Sequence, residues 1–168
     1  HSASRDARQD ERGAGLYSSI QDANHKRRFN LIAQFRAALD AEDQLYMVYQ
    51  PRVALASGEC VGAEALIRWR HPTFGDISPA EFIPLVENTH MAHQLTDWVM
   101  ARVIKQAAIW HHQGRNLTIS LNVAAANLEE PDFTERLLGY LRGENLPLGS
   151  IELELTESGL ISNGLAAT

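Results

Sequence analysis

The chain has 168 residues, 45% of them hydrophobic and 21% charged, which is enough for one domain with a continuous apolar core. Its net charge of −6 excludes the basic field with which proteins hold duplex nucleic acid, yet leaves room for a small anion bound beside a cation or a local arginine. A single cysteine, Cys60, excludes an internal disulfide and reads as a small buried hydrophobe, and no segment has the length of a membrane span or the apolar run of a signal peptide. These features point to the cytoplasm, or to the cytoplasmic portion of a membrane-anchored protein.

Residues 1–18 are polar and read as a flexible segment. A linker helix is predicted within 19–44, where Leu31, Phe35 and Leu39 recur at helical spacing and Ile32 and Ala38 widen the stripe. Lys26-Arg27-Arg28 near its start and Asp40, Glu42 and Asp43 at its end oppose the helix dipole, so packing must hold it; the basic triplet reads as a solvated face. Residues 45–168 then form the main unit. Leu45–Pro51 is a strand closed by proline, and a Ser57-Gly58 turn leads to the strand Val61–Trp69, which ends near His71-Pro72.

Ser78-Pro79-Ala80-Glu81 has the residues of a capped helix start, and Pro84 is expected to end or kink that helix. A long amphipathic helix follows, with Leu95, Trp98, Val99, Arg102, Val103, Gln106 and Trp110 on one face and a stop at Gly114. Leu117–Val123 is a strand, Pro131–Arg142 a helix closed by Gly143, and Ile151–Thr156 a further strand. Strands alternating with helices predict an α/β fold with a parallel sheet or barrel.

Parallel strands usually read as unbroken apolar runs, and three strands here do not. Glu64, Leu66 and Arg68 share one face opposite Ala65, Ile67 and Trp69. Thr118, Ser120 and Asn122 share a face, as do Glu152 and Glu154. Charges on such strands are costly unless they bind something. A barrel accounts for them: apolar sides face surrounding helices, and polar sides converge inside toward the C-terminal mouth. Two carboxylates and an amide oxygen from neighbouring strands make a hard donor set suited to Mg²⁺ or Mn²⁺, with an arginine at hand for a phosphate; a buried hydrogen-bond network is the competing reading. His90 and His93, and the pair His111-His112, match no zinc pattern and read as surface or capping residues.

In order along the chain stand Tyr49-Gln50-Pro51, Glu64-Ala65-Leu66-Ile67-Arg68-Trp69, Pro79 with Phe82-Ile83-Pro84, Asn122-Val123, and Glu154-Leu155-Thr156-Glu157-Ser158. Together they resemble the EAL domain, the phosphodiesterase that hydrolyses cyclic di-GMP to linear pGpG. The resemblance implies a TIM-like (β/α)8 barrel. It implies Glu64, Asn122 and Glu154 as ligands of a Mg²⁺ or Mn²⁺ site, with Glu64 and Glu154 catalytic through a metal-activated water. It further implies Gln50, Leu66 and Arg68 as ligand contacts, Arg68 on a phosphate, and Glu157 as a residue steadying a neighbouring active-site loop. The helix over 19–44 resembles the connector between a GGDEF-type cyclase domain and an EAL domain, so a fused GGDEF or sensory domain upstream and a homodimer through the EAL domain are expected.

Departures accompany the match. The family continues to an Asp-Asp pair, a lysine and further glutamates, and no Asp-Asp pair occurs in this chain. Residues 45–168 are about half of a closed eightfold barrel, so the first half of the domain is expected here, inactive and prone to associate by itself. Ala124 stands where the family usually has serine. The competing functional reading is a non-catalytic EAL module that acts as a cyclic di-GMP receptor or binds a protein partner.

Overall fold

The computed structural model describes the backbone of residues 3–155 and the side chains of residues 21–155. Helix α1 (Ala3–Asp40) begins well before residue 19, through a segment whose Ala, Arg, Gln and Glu content favours helix despite its polarity. Strands β1 (Leu45–Val53) and β2 (Cys60–His71) follow, with a short β3 (Gly75–Ile77). Helices α2 (Pro79–Glu87) and α3 (Ala92–His112) lead to β4 (Thr118–Val123). The short α4 (Ala125–Leu128) and then α5 (Phe133–Gly143) precede β5 (Ile151–Leu155). Among the described residues no helix is long and apolar enough to cross a membrane.

The sheet runs β1-β2-β4-β5, with β3 also paired to β2. Strands β2, β4 and β5 are parallel, as the helical crossovers between them require. Strand β1 departs from a wholly parallel arrangement. The Ala54–Glu59 connection is too short for a crossover, so β1 and β2 pair as an antiparallel hairpin. Its turn is closed by bonds from Ala54 N to Glu59 O (2.9 Å) and from Gly58 N to Ala54 O (2.8 Å). Gly58 takes a φ of 72°, which a residue without a Cβ adopts freely.

The outward face of the sheet is apolar and covered. Ala65, Ile119, Leu121 and Val123 pack against Met100, Val103, Ile104, Ala107 and Ala108 of α3 and Phe133 and Leu141 of α5. The buried stripe of α3 is therefore turned from the predicted one: Arg102 is exposed, and Trp98 and Trp110 are half-buried at its margins. A second cluster joins Leu31, Phe35 and Ala38 of α1 to Trp69 of β2 and to Phe82, Leu85 and Val86 of α2. At its centre Trp69 stands edge-on to Phe35 and to Phe82, each 5.4 Å away between ring centroids.

Two local signals resolve differently from their sequence reading. Ser78 makes no side-chain capping bond, and the Glu81 side chain, instead of reaching back to the Ser78 N–H, forms a two-pronged ion pair with Arg27 of α1. Arg27 also lies 5.1 Å over the Phe74 ring, so this member of the basic triplet, although 40% exposed, fastens α1 to the domain. Pro84 lies inside α2, which runs on to Glu87; the Asn88 side chain reaches back to the Pro84 carbonyl at 2.8 Å. Cys60 is exposed at the start of β2, not buried.

His71 locks α1 to the β2–β3 corner. Its Nδ1 accepts from the backbone N–H groups of Thr73 (3.1 Å) and Phe74 (3.2 Å), which leaves Nε2 to donate to Gln34 Oε1 at 2.8 Å. The buried ring is thus neutral, and burial, with Arg27 nearby, holds its pKa below the ordinary histidine value. The folded ring binds a proton less readily than the unfolded one, so the stabilisation is complete above about pH 6.5 and is lost as pH falls below it. The melting temperature of the wild type should therefore fall more steeply between about pH 6.5 and pH 5 than that of His71→Asn. Parallel pH profiles would remove His71 from this role.

Candidate functional site

Alternation along β2 sends Ala63, Ala65 and Trp69 into the core and turns Glu64, Leu66 and Arg68 to the opposite, open face. Strand register then extends that polar face sideways. Gln50 of β1 is paired with Glu64, Glu64 with Ser120 of β4, and Ser120 with Glu152 of β5. One step toward the C-terminal ends of the parallel strands, Asn122 is paired with Glu154. Residues distant in the chain thereby become neighbours at one edge of the sheet.

The predicted ligand set is brought together in this row. The Asn122 amide donates to Glu64 Oε1 at 2.9 Å, and Glu154 lies beside Asn122 on the adjacent strand. All three offer oxygen donors of the hard type that Mg²⁺ and Mn²⁺ prefer, so the donor set fits an oxygen-seeking divalent cation. Gln50 sits exposed opposite Glu64. Glu157 lies outside the described residues.

Beside this row, at the C-terminal ends of β2 and β4, opens a cavity of about 310 Å³. Leu66, Arg68 and Asn122 line it together with Ile83, Pro84 and Glu87 of α2 and Thr96 and Val99 of α3. Arg68 Nη1 donates to the Ile67 carbonyl at 2.8 Å, and among the described residues no carboxylate pairs with its guanidinium. Burial pushes the Glu87 carboxyl above its ordinary pKa. The lining is largely apolar with few polar groups, the usual make-up of a small-molecule site.

The sequence reading gave no role to Arg52. Its Nη2 lies 2.7 Å from Glu152 Oε2 and its Nη1 3.6 Å from Glu154 Oε1. Glu152 also accepts from Ser120 Oγ at 3.3 Å, and the Arg52 hydrogen bond holds its carboxyl below the ordinary range. Gly62 makes room for this guanidinium. A Cβ there would stand 2.4 Å from the Thr118 carbonyl and 3.1 Å from Arg52 Nη2, so glycine is required for β2 and β4 to close up. The available signal was the spacing: Arg52 is two residues from Gln50 and so shares its face.

Elsewhere, Ala124 caps α4 in extended geometry without a hydroxyl to offer; instead its N–H donates to Asn127 Oδ1 at 3.2 Å. His90 lies in the turn before α3 and His93 inside it, so the two do not share a helix face. His93, Glu130 and Asp132 bring ligand-type atoms within 4.8 Å of one another. Arg136 already bonds both carboxylates there, reaching Asp132 Oδ1 at 2.7 Å, and occupies the place of a cation.

Comparison with known proteins gives a consistent result. The EAL domain profile matches residues 32–168. The cyclic di-GMP phosphodiesterase PA2567 of Pseudomonas aeruginosa is 38% identical over 165 residues, 98% of this chain and 28% of that protein. The bifunctional diguanylate cyclase/cyclic di-GMP phosphodiesterase MucR of the same organism is 32% identical over 151 residues, 89% of this chain and 22% of that protein. The structure of the MucR phosphodiesterase in complex with cyclic di-GMP superposes with a TM-score of 0.73 at 32% identity, covering 80% of this chain and 54% of that one. The chain thus spans about half of the solved domain and less than a third of these curated relatives.

Proposed function

The chain belongs to the EAL domain family, and on that premise we propose that it contributes to a cyclic di-GMP phosphodiesterase, which opens the cyclic dinucleotide to linear pGpG. The observation that carries this reading is the register that sets Glu64, Asn122 and Glu154 along one edge of the sheet, beside the cavity holding Leu66 and Arg68. Glu64, Asn122 and Glu154 would hold Mg²⁺ or Mn²⁺. Such an ion supplies Lewis acidity toward phosphate oxygens and lowers the pKa of a coordinated water.

The protein's own groups do the positioning. Arg68 presents a planar fork suited to a phosphate, and Leu66 with Ile83 and Pro84 offers apolar surface to the rest of the nucleotide. Gln50, opposite Glu64, is placed to bond a polar group of the ligand. Glu64 is steadied by the Asn122 amide, so the carboxylate need not search for its position when ligand arrives. The N-terminal reach of α1 and the two activities in the name of MucR support a cyclase-type domain as an upstream partner.

The test is cleavage of cyclic di-GMP, followed as pGpG formation, by a protein that carries this chain within a full-length domain. Mg²⁺-dependent cleavage is expected there, and none from the 168 residues alone. Binding without cleavage by the full-length domain would favour the receptor reading, and neither binding nor cleavage would overturn both.

A further inference from the structure

We propose that Arg52 is a positioning residue that acts as a built-in counter-cation for the acidic row and sets how tightly a divalent ion is held; the inference rests on the metal-site reading above. Its guanidinium is shared unequally, with Glu152 Oε2 at 2.7 Å and Glu154 Oε1 at 3.6 Å. One of these carboxylates is in the ligand row and the other lies a step deeper in the sheet. Glu152 thus draws Arg52 away from Glu154, and Ser120 Oγ helps hold Glu152 in that role. Arg52 is paired with Gly62 across β1 and β2, and Gly62, which the close approach of the Thr118 carbonyl requires, leaves the space beside the guanidinium without a side chain.

Charge then fixes the signs. A divalent ion on Glu154 sits beside a permanent positive charge and is repelled by it. The groups are partly open to water, with side chains 37% exposed for Arg52 and 38% for Glu154. In that setting the coupling amounts to roughly a tenfold change in binding constant. Without Arg52 the repulsion disappears and Glu152 becomes a free carboxylate nearby. Without the charge on Glu152, Arg52 shifts its full attention to Glu154 and competes more strongly with the ion.

The experiment is titration of Mn²⁺ into a full-length domain that carries this chain, followed by the loss of the free-ion electron paramagnetic resonance signal, with no nucleotide present. Arg52→Gln should bind Mn²⁺ about tenfold more tightly, Arg52→Lys close to wild type, and Glu152→Gln several-fold more weakly. A purely structural role for Arg52 would loosen the site in both charge-removing variants. Unchanged or weaker binding by Arg52→Gln with its circular dichroism intact would overturn the inference. Should that variant fail to fold, Arg52→Met takes its place with the same expectation of tighter binding, and unchanged or weaker binding overturns the inference. No binding by the wild type would overturn this inference together with the metal site on which it rests, whereas normal wild-type binding with unmoved variants would overturn this inference only.

Discussion

Glu64→Ala is expected to lower turnover of cyclic di-GMP by roughly three orders of magnitude, about 4 kcal/mol of lost transition-state stabilisation, when measured in the full-length domain. The carboxylate lies in the donor row, bonded by Asn122, and its backbone is fixed on both sides by pairing to Gln50 and Ser120. Truncation therefore removes a proposed ligand without disturbing the register that holds the other residues of the row. Glu64→Gln makes the sharper test. It keeps the shape and an oxygen for the Asn122 amide but carries no charge, so it should lose turnover nearly as fully. Activity within tenfold of wild type in either variant would take Glu64 out of the reaction.

Trp69→Ala should produce the largest loss of stability, about 3–5 kcal/mol. The ring is 1% exposed, lies between Phe35 and Phe82, and donates through Nε1 to Gln44 Oε1 at 3.3 Å. Deleting it leaves a cavity where α1, α2 and β2 meet, and rigid aromatic neighbours are poorly able to collapse into it. For a domain of this size the melting temperature should fall by roughly 10 °C. Denaturant unfolding should show a lower midpoint at constant slope. Trp69→Phe should recover much of the loss, since the edge contacts survive and the Gln44 bond does not. A loss below about 1 kcal/mol for the alanine variant would show that the cluster repacks freely.

The period-two pattern made the donor row readable from sequence. A glutamate in an otherwise apolar strand, and the matching alternation in β4 and β5, fixed the faces of Glu64, Asn122 and Glu154 before any register was known. Register itself was not legible, because it depends on crossover geometry, and with it the pairing of Ser120 to Glu152 stayed hidden. Arg52 is hidden in the sequence because it lies beyond Pro51, which reads as the strand's end, whereas β1 continues to Val53. Arg27 and Glu81 show the same limit. Each had a sound local role as solvated charge or capping residue, and a partner far along the chain outweighed it. In α3 the buried face runs through Met100, Ile104, Ala107 and Ala108, and Trp98 and Arg102 stack on each other at 4.4 Å beside it.

The β1–β2 hairpin has a further consequence, for the order in which the protein is built. Contacts between strands joined by a tight connection close with little loss of chain entropy, whereas β2–β4 and β4–β5 pairing must first bring in the helices between them. The hairpin is thus expected to form first, which double-jump refolding with hydrogen-exchange labelling of β1 and β2 would check, and it carries Gln50, Arg52 and Glu64 in register. Asn122 and Glu154 are expected to join afterwards as β4 and β5 dock, completing the acidic row in the order in which its residues leave the ribosome.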